Sequence, residues 1–264
     1  MAEPRAGTTG WRNSVLVLVF GFIYTPIAVL IILSFNDGGS PTLWTGFSFK
    51  WYAALLRNQD ILGAALNTLI VAVSSTIIAT ILGTLLAVGM ETRRRKGRAL
   101  EAFVFSPMII PDIVLAIALL SFFSMLNIPL GLYTIVLAHV VFNIAFVSSV
   151  VRARLKRFDW TLTEASADLG ASNVTTFRRI TLPLILPAVV AGALLAFTLS
   201  VDEFIIAFFT SGAGRESTTL PMQIFAMVRF GVTPELNALA TMFMLVSVAV
   251  LAFSQWLNRG RESV

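Results

Sequence analysis

The sequence predicts an all-α membrane protein with six transmembrane helices, and its composition and charge pattern indicate this class. Of its 264 residues, 57% are hydrophobic and only 12% are charged, whereas a soluble domain is about half apolar and a quarter charged. Uncharged stretches occupy residues 13–35, 61–90, 113–151 and 236–258. Each stretch can cross about 30 Å of hydrocarbon, which takes roughly 20 helical residues.

The individual helices follow from these stretches and from the turn residues between them. Residues 113–151 are too many for one crossing, and Asn127, Pro129 and Gly131 supply turn chemistry in the middle. Helices are expected near residues 14–35, 63–90, 102–126, 131–151, 184–210 and 236–257. Together they form a single transmembrane domain over residues 1–264, in which small residues such as Gly83 and Gly89 should allow helices to approach closely.

The distribution of positive residues predicts the orientation, because Lys and Arg near helix ends stay in the cytoplasm. Four of the 19 positive residues, Lys50, Arg57, Arg215 and Arg229, fall on one side of the predicted helices. The other fifteen are Arg5, Arg12, Arg93, Arg94, Arg95, Lys96, Arg98, Arg152, Arg154, Lys156, Arg157, Arg178, Arg179, Arg259 and Arg261. Both termini are therefore predicted to be cytoplasmic. The net charge of +5 comes from the positive residues that set this orientation, and no nucleic-acid partner is expected.

Aromatic residues of the first outer segment suit the belt at the membrane surface. Trp44, Trp51 and Tyr52 lie there, and amphipathic rings are enriched at the level of the lipid headgroups. The alternative is that these rings contact a docking partner or a substrate that leaves it.

The longest predicted cytoplasmic segment, residues 152–183, carries the clearest local signals. Thr161 and Glu164 fit a capping box, S/T-x-x-E, so a short helix should begin near Leu162. Gly170 can adopt the left-handed conformation that ends a helix. A second short helix is expected over residues 173–180. Two short helices outside the membrane suit docking into a groove of another protein, and an amphipathic segment held by anionic lipid is the alternative.

The same segment resembles the EAA loop of the permeases of binding-protein-dependent ABC importers, which have the MetI-like fold. The pattern EAA-x3-G-x9-I-x-LP is matched in its spacing by Glu164, Ala165, Ser166, Gly170, Ile180, Leu182 and Pro183. The one departure is Ser166, where the pattern has Ala. Helix count and segments such as Asn67-Thr68 extend the resemblance over nearly the whole chain, and it is closest to the second permease subunits of spermidine/putrescine import systems.

This resemblance implies a set of partners and a division of labour. A coupling segment would sit on an ATPase dimer. It would consist of residues 164–166, Asp168, Gly170, Ala171, Ile180, Leu182 and Pro183. ATP and Mg²⁺ would bind to that ATPase, and no G-x-x-x-x-G-K-[ST] stretch occurs here to cradle phosphates. A homologous partner permease, giving a heterodimer, an external substrate-binding protein and a bacterial inner membrane are also implied.

Three acidic residues fall within the predicted spans, where charge is costly and usually faces a bundle interior or a wet cavity. Asp112 should lie about 15 Å into the third helix, after Pro107 and Pro111, and Asp202 and Glu203 about 27 Å into the fifth. Acids at two depths attract a cation. We therefore expect a polyamine-type cargo, with cation–π contacts from Phe204, Phe208 and Phe209.

Each of these acids also has a structural explanation. Asp112 could be protonated or hydrogen-bonded to a neighbouring helix, and Asp202 could cap a break in the fifth helix. Two other function classes use the same residues: an intramembrane enzyme with Asp112 and Asp202 as an acid pair, and a passive cation channel.

Catalytic and metal sites are not expected. The chain has no Cys, and its only histidine, His139, lies on an apolar background where a packed, hydrogen-bonded role is favoured. With one His and no G-x-S-x-G stretch, the sequence offers no hydrolase triad.

Overall fold

A computed structural model of the chain describes residues 6–40, 43–92 and 97–259, which fold almost entirely into helices. Arg5, Arg93–Lys96 and Arg261 of the positive set lie outside the described residues. In chain order the α-helices are α1 Ala6–Ser34, α2 Lys50–Leu55, α3 Gln59–Thr92, α4 Gly97–Phe105, α5 Asp112–Met125, α6 Leu132–Leu155, α7 Thr161–Asp168, α8 Asn173–Thr176, α9 Leu182–Asp202, α10 Ile205–Thr210, α11 Leu220–Arg229 and α12 Pro234–Arg259.

Four helical segments within the described residues are long and apolar enough to cross a membrane: Trp11–Ser34, Gln59–Thr92, Leu132–Leu155 and Asn173–Asp202. A fifth crossing results if Glu101–Met108 and Asp112–Met125, which are bent by 111°, count as one span. The apolar part of α12, Pro234–Ala249, is shorter. The six-span count and the cytoplasmic position of both termini stay predictions.

Two of the predicted spans are interrupted, so the expected helices over residues 102–126 and 184–210 are wrong as continuous elements. The first is broken around Pro111, which has extended backbone angles (φ −55°, ψ 136°) and cannot donate a helical hydrogen bond. The second ends at Asp202, where Glu203 turns extended (ψ 120°) before α10 begins. The turn predicted between the third and fourth spans is confirmed, with Asn127 at φ 53°.

The chain forms two compact units. The described residues of Met1–Gln59 and Ile224–Val246 make one, and those of Asp60–Gln223 and Ser247–Val264 make the other. In the first unit the Asn36 side chain organises the segment after α1: its amide donates to the Ser40 and Leu43 carbonyls, and its oxygen accepts from Thr45 N–H. Trp51 Nε1 donates to the Asn36 carbonyl, so this indole is held by the protein itself.

The core of the second unit is built where α3, α6 and α9 meet. Val147 of α6 packs directly against a glycine of each of the other two helices. A Cβ atom at Gly83 would lie 2.9 Å from Val147 Cβ, and one at Gly192 would lie 3.4 Å from Val147 Cα. Close backbone approach through small residues is how helices pack without a hydrophobic driving force. The prediction for Gly83 is thus confirmed. Among the described residues, nothing lies within 4 Å of a Cβ atom placed at Gly89, so no close approach is seen there.

Candidate functional site: the coupling loop and two helix breaks

The loop between α6 and α9 begins with a short helix, α7, that is started by Asp159. The Asp159 carboxylate accepts hydrogen bonds from the backbone N–H (3.0 Å) and the hydroxyl (2.7 Å) of Thr161. The predicted capping box is wrong: Thr161 is the first helical residue, its hydroxyl donates to Asp159, and the Glu164 N–H donates to the Trp160 carbonyl.

The same contacts make the start of α7 pH-sensitive. The Thr161 hydroxyl, and after it the Thr161 N–H, hold the pKa of the Asp159 carboxyl below its ordinary value. A depressed folded-state pKa stabilises the fold above the unfolded-state pKa, and this stabilisation is lost as pH falls through the lowered value. The contribution is therefore complete at neutral pH.

A glycine turn and one hydrogen bond fix the two short helices of the loop. Gly170 has φ +81°, the left-handed conformation predicted for it. Across that turn the Ser166 and Thr176 hydroxyls are 2.9 Å apart and both are buried. Ser166 is the residue that departs from the EAA pattern, and its hydroxyl makes a bond that alanine could not make.

The second short helix of the loop does not stop at residue 180. Residues Asn173–Asp202 form one helical segment of 30 residues, in which Phe177–Thr181 make a π-helical turn between α8 and α9. Pro183 accounts for the wider turn, because it lacks an N–H and its ring would clash with the carbonyl four residues earlier. The predicted start of the second short helix at residue 173 is confirmed, and its predicted end at residue 180 is wrong. The motif residues Ile180, Leu182 and Pro183 lie along this continuous segment.

The coupling residues divide by exposure. Ser166 is buried, while Ala171, Ile180 and Leu182 are half-buried. Next to the motif, Leu169 is 89% exposed, and Leu162 and Val174 are exposed as well. The exposed motif residues are Glu164, Ala165, Asp168, Gly170 and Pro183. Such a protruding surface, apolar and acidic in part, can dock on a second protein.

The three acids lie at the two interrupted spans. Asp112 is exposed and opens α5 directly after Pro111, so its predicted place in the middle of a continuous helix is wrong. Asp202 is exposed at the end of α9. Glu203 is half-buried in the break, where its Oε1 accepts from the Ile206 N–H at 2.6 Å. The residue that caps the break is therefore Glu203, whereas the structural alternative had assigned the cap to Asp202.

Tertiary packing brings the two breaks together. Helix α10 packs against α5, and Ile206 joins Leu115 and Ala116 in one apolar cluster. Glu203 precedes α10 and Asp112 opens α5, so the two acids belong to elements that pack together. The depths that the sequence predicts for these acids stay predictions. The aromatic rings predicted beside them are present, with the Phe204 and Phe208 centroids 5.5 Å apart and Phe209 next to Phe208 at 5.7 Å.

Three buried polar side chains from α6, α9 and α3 form a row of hydrogen bonds in the same unit. Of these, the sequence pointed only to His139. His139 is 1% exposed and its Nδ1 lies 2.6 Å from Ser200 Oγ, which in turn lies 3.0 Å from Ser75 Oγ. The packed, hydrogen-bonded role predicted for His139 is confirmed. Asn143, one turn further along α6, is fully buried, and neither atom of its amide has a partner among the described residues. The four-residue spacing of His139 and Asn143 is the signal that could have shown a polar face.

The Asn67-Thr68 segment holds the loop before α11. Asn67 Nδ2 donates to the carbonyls of Arg215 and Thr218, and the Thr68 hydroxyl accepts from the Leu220 N–H at 2.7 Å. Arg215 also pairs with Asp60 at 2.6 Å. These residues fix an irregular loop to the start of α3.

Apolar spans, an exposed loop continuous with one of them, and acids at interrupted spans are features that suit a transport permease. The chain belongs to the family of binding-protein-dependent transport system inner membrane components, which matches residues 79–262. The family assignment agrees with the transporter hypothesis, and not with the intramembrane enzyme or the passive channel.

Two curated relatives and two solved structures are similar over most of the chain. It is 41% identical over 249 residues to the spermidine/putrescine transport system permease protein PotC of Haemophilus influenzae, covering 94% of this chain and 96% of that protein. It is 42% identical over 255 residues to the putrescine transport system permease protein PotI of Escherichia coli, covering 93% and 89%.

The solved structures share the fold at low identity. One is a bacterial ABC transporter involved in import of the acidic polysaccharide alginate, with a TM-score of 0.76, 16% identity and coverage of 96% and 97%. Another is the MetNI methionine ABC transporter in inward-facing conformations, with a TM-score of 0.62, 19% identity and coverage of 81% and 99%.

Proposed function

We propose that this chain is the permease subunit of an ATP-driven importer that moves spermidine, putrescine or a similar small organic cation into a bacterial cell by alternating access. The observation that carries the cargo proposal is that Asp112 and Glu203 lie at two helix breaks whose flanking helices, α5 and α10, pack together, with Asp202 adjoining Glu203. The names of the relatives at 41% and 42% identity support the same cargo.

The chemistry of the breaks suits a cation with several amino groups. Carboxylates favour ammonium groups, and the faces of Phe204 and Phe208 can add cation–π attraction of about 0.5 to 2 kcal/mol each. Irregular backbone at membrane depth is tolerated where it is buried in protein or lines a water-filled cavity. An anionic cargo would be repelled by the same acids.

The energy source in this proposal is a separate ATPase dimer that binds ATP and Mg²⁺ and docks on the coupling loop. The α7 region supports this, because Glu164, Ala165 and Leu169 are exposed there, close to the left-handed turn at Gly170. A homologous partner permease and an external substrate-binding protein complete the complex, which lies in the bacterial inner membrane with both termini of this chain in the cytoplasm.

The cargo proposal is tested by uptake of radiolabelled putrescine into proteoliposomes that contain the whole complex. Asp112→Asn and Asp202→Asn keep the size of the side chain and remove its charge, so each should lower uptake roughly tenfold, since hydrogen bonds to charged groups contribute about 1.5 to 3 kcal/mol.

Asp37→Asn is the matched control, because Asp37 is exposed and pairs with Lys50 away from the breaks in sequence. It should leave uptake unchanged. Unaltered putrescine uptake in both Asp112→Asn and Asp202→Asn would contradict the cation path, and uptake without ATP would favour a channel.

A further inference from the structure

One basic side chain joins three helices next to the coupling loop. Arg152, in the last turn of α6, forms a salt bridge through Nε with Glu91 Oε1 of α3 at 2.6 Å. Its Nη1 pairs with Glu101 Oε1 of α4 at 2.6 Å, and its Nη2 donates to Glu101 Oε2 at 3.2 Å. Glu101 is thus bound in the two-pronged geometry that guanidinium and carboxylate groups share. From the sequence alone, Arg152 is only one of the positive residues that indicate topology.

In this group of three residues, the Arg152 clamp, the Arg152 and Glu91 side chains are largely withdrawn from water, whereas the Glu101 side chain is partly exposed. The Glu91 side chain is 7% exposed, that of Arg152 is 16% exposed and that of Glu101 is 42% exposed. The Arg152 guanidinium also lies 5.9 Å from the ring centroid of Phe105 in α4. A charge pair with little solvent is screened weakly, and removing one member leaves the other uncompensated. The clamp therefore resists separation of α3, α4 and α6 at these ends.

The clamp lies between the coupling loop and the first helix break. On one side, α6 ends three residues after Arg152, and Val151 and Leu155 pack with Phe158 and Trp160, which lead into α7. On the other side, α4 continues through the 3₁₀ turn at Ser106–Met108 to Pro111 and Asp112. A displacement of α7 that moves the end of α6 would thus be passed to the segment that carries Asp112.

We propose that Arg152 is a positioning residue that couples the ATPase-docking loop to the break at Asp112, by holding α3, α4 and α6 together at their clamped ends. The inference rests on the proposed function, since it assumes that an ATPase moves the loop. It requires arginine specifically, because the ammonium group of lysine is a point charge that cannot match both carboxylates with a planar fork.

The test uses the reconstituted complex and two measures of coupling: putrescine taken up per ATP hydrolysed, and the ratio of ATPase rates with and without the binding protein. Glu101→Gln and Arg152→Lys each weaken the Glu101 arm and leave a salt bridge to Glu91 possible, so the complex should still assemble. Each should lower both measures by about fivefold or more, the usual lower range for a lost coupling between sites. Arg152→Gln should lower them at least as far.

Arg154→Gln is the control, because Arg154 is exposed in the same turn and carries the same charge. It should leave both measures unchanged. The proposal is overturned if assembled Glu101→Gln and Arg152→Lys complexes keep wild-type coupling, or if uptake and ATPase rate only fall in proportion to the amount of complex. Failure of the cargo proposal looks different: the wild type would take up no putrescine, and the ATPase ratio, which needs no knowledge of the cargo, would still test the clamp.

Discussion

The coupling loop and the pair of helix breaks both contain short helices and irregular backbone, yet different kinds of contact fix their structures. In the loop, the polar contacts that set its shape are local: Asp159 starts α7, Gly170 turns the chain and Ser166 reaches Thr176 ten residues on. The two breaks, by contrast, are brought into one packed region only because α5 packs against α10.

This difference separates two tasks. A locally built, protruding loop can keep its shape while the rest of the molecule moves, which suits the docking of an ATPase. A site whose halves come from two distant segments changes whenever those segments shift, which suits alternating exposure of a cargo. Variants in the loop should therefore alter ATPase association without changing cargo preference, and variants at the breaks should do the reverse.

The largest effect is expected for Leu169→Asp. Leu169 is 89% exposed beside the EAA residues, and a charge there would be buried by a docked partner. Loss of an interface anchor costs about 2 kcal/mol or more, so binding of the ATPase subunit should weaken roughly 30-fold. Surface plasmon resonance on detergent-solubilised permease would measure this change.

The comparison variant is Leu56→Asp, which alters an equally apolar, exposed leucine outside the loop. ATPase binding should stay at the wild-type level in Leu56→Asp. Equal binding by the Leu169→Asp and wild-type proteins would remove the loop from the ATPase interface.

An intermediate effect is expected for Glu203, whose two roles can be separated. Glu203→Gln keeps an oxygen that can accept from the Ile206 N–H, and Glu203→Ala removes both the cap and the charge. Both should lower putrescine uptake about tenfold, and only Glu203→Ala should also lose roughly 1 kcal/mol of stability, the usual contribution of a cap. Uptake and thermal unfolding of the same preparations would measure the two roles.

In both Glu203 variants, ATPase binding to the permease should remain at the wild-type level, because the loop is untouched. If Glu203→Gln transports normally while Glu203→Ala does not, Glu203 acts only as a cap and the acid site is reduced to Asp112 and Asp202.

The smallest effect is expected for Ser166→Ala, which restores the alanine of the EAA pattern. It removes the buried bond between Ser166 and Thr176 and leaves the Thr176 hydroxyl unpaired within the loop, at a cost of about 1 kcal/mol. Hydrogen exchange of α7 amides should become faster, with uptake within about twofold of wild type. A loss of uptake beyond tenfold would mean that the hydroxyl itself takes part in coupling.

The parts that the sequence predicted well are those set by composition or by one local residue. The apolar stretches predicted the helices, the EAA spacing predicted the family, and Gly170 was correctly expected in the left-handed conformation. The cap of α7 was wrong because the Asp159 carboxylate binds the Thr161 N–H and hydroxyl, which makes Thr161 the first helical residue and not the cap.

The parts that could not be predicted depend on partners far away in sequence. Pro107 and Pro111 indicated a kink, but a bend of 111° requires that α5 find its packing partner elsewhere, in α10. Glu203 has no proline nearby to mark its break. The Arg152 clamp joins residues 61 and 51 positions apart, and any of the neighbouring basic residues could have made it.

The continuous segment Asn173–Asp202 has a mechanical consequence. Its 30 residues measure about 45 Å at 1.5 Å per residue, so a tilt of only about 5° around its inner end moves the outer end by about 4 Å. The far end from α8 is Asp202, beside Glu203. In the proposed importer, a small tilt at α8 would therefore become a displacement of the acids by roughly the width of a methylene chain.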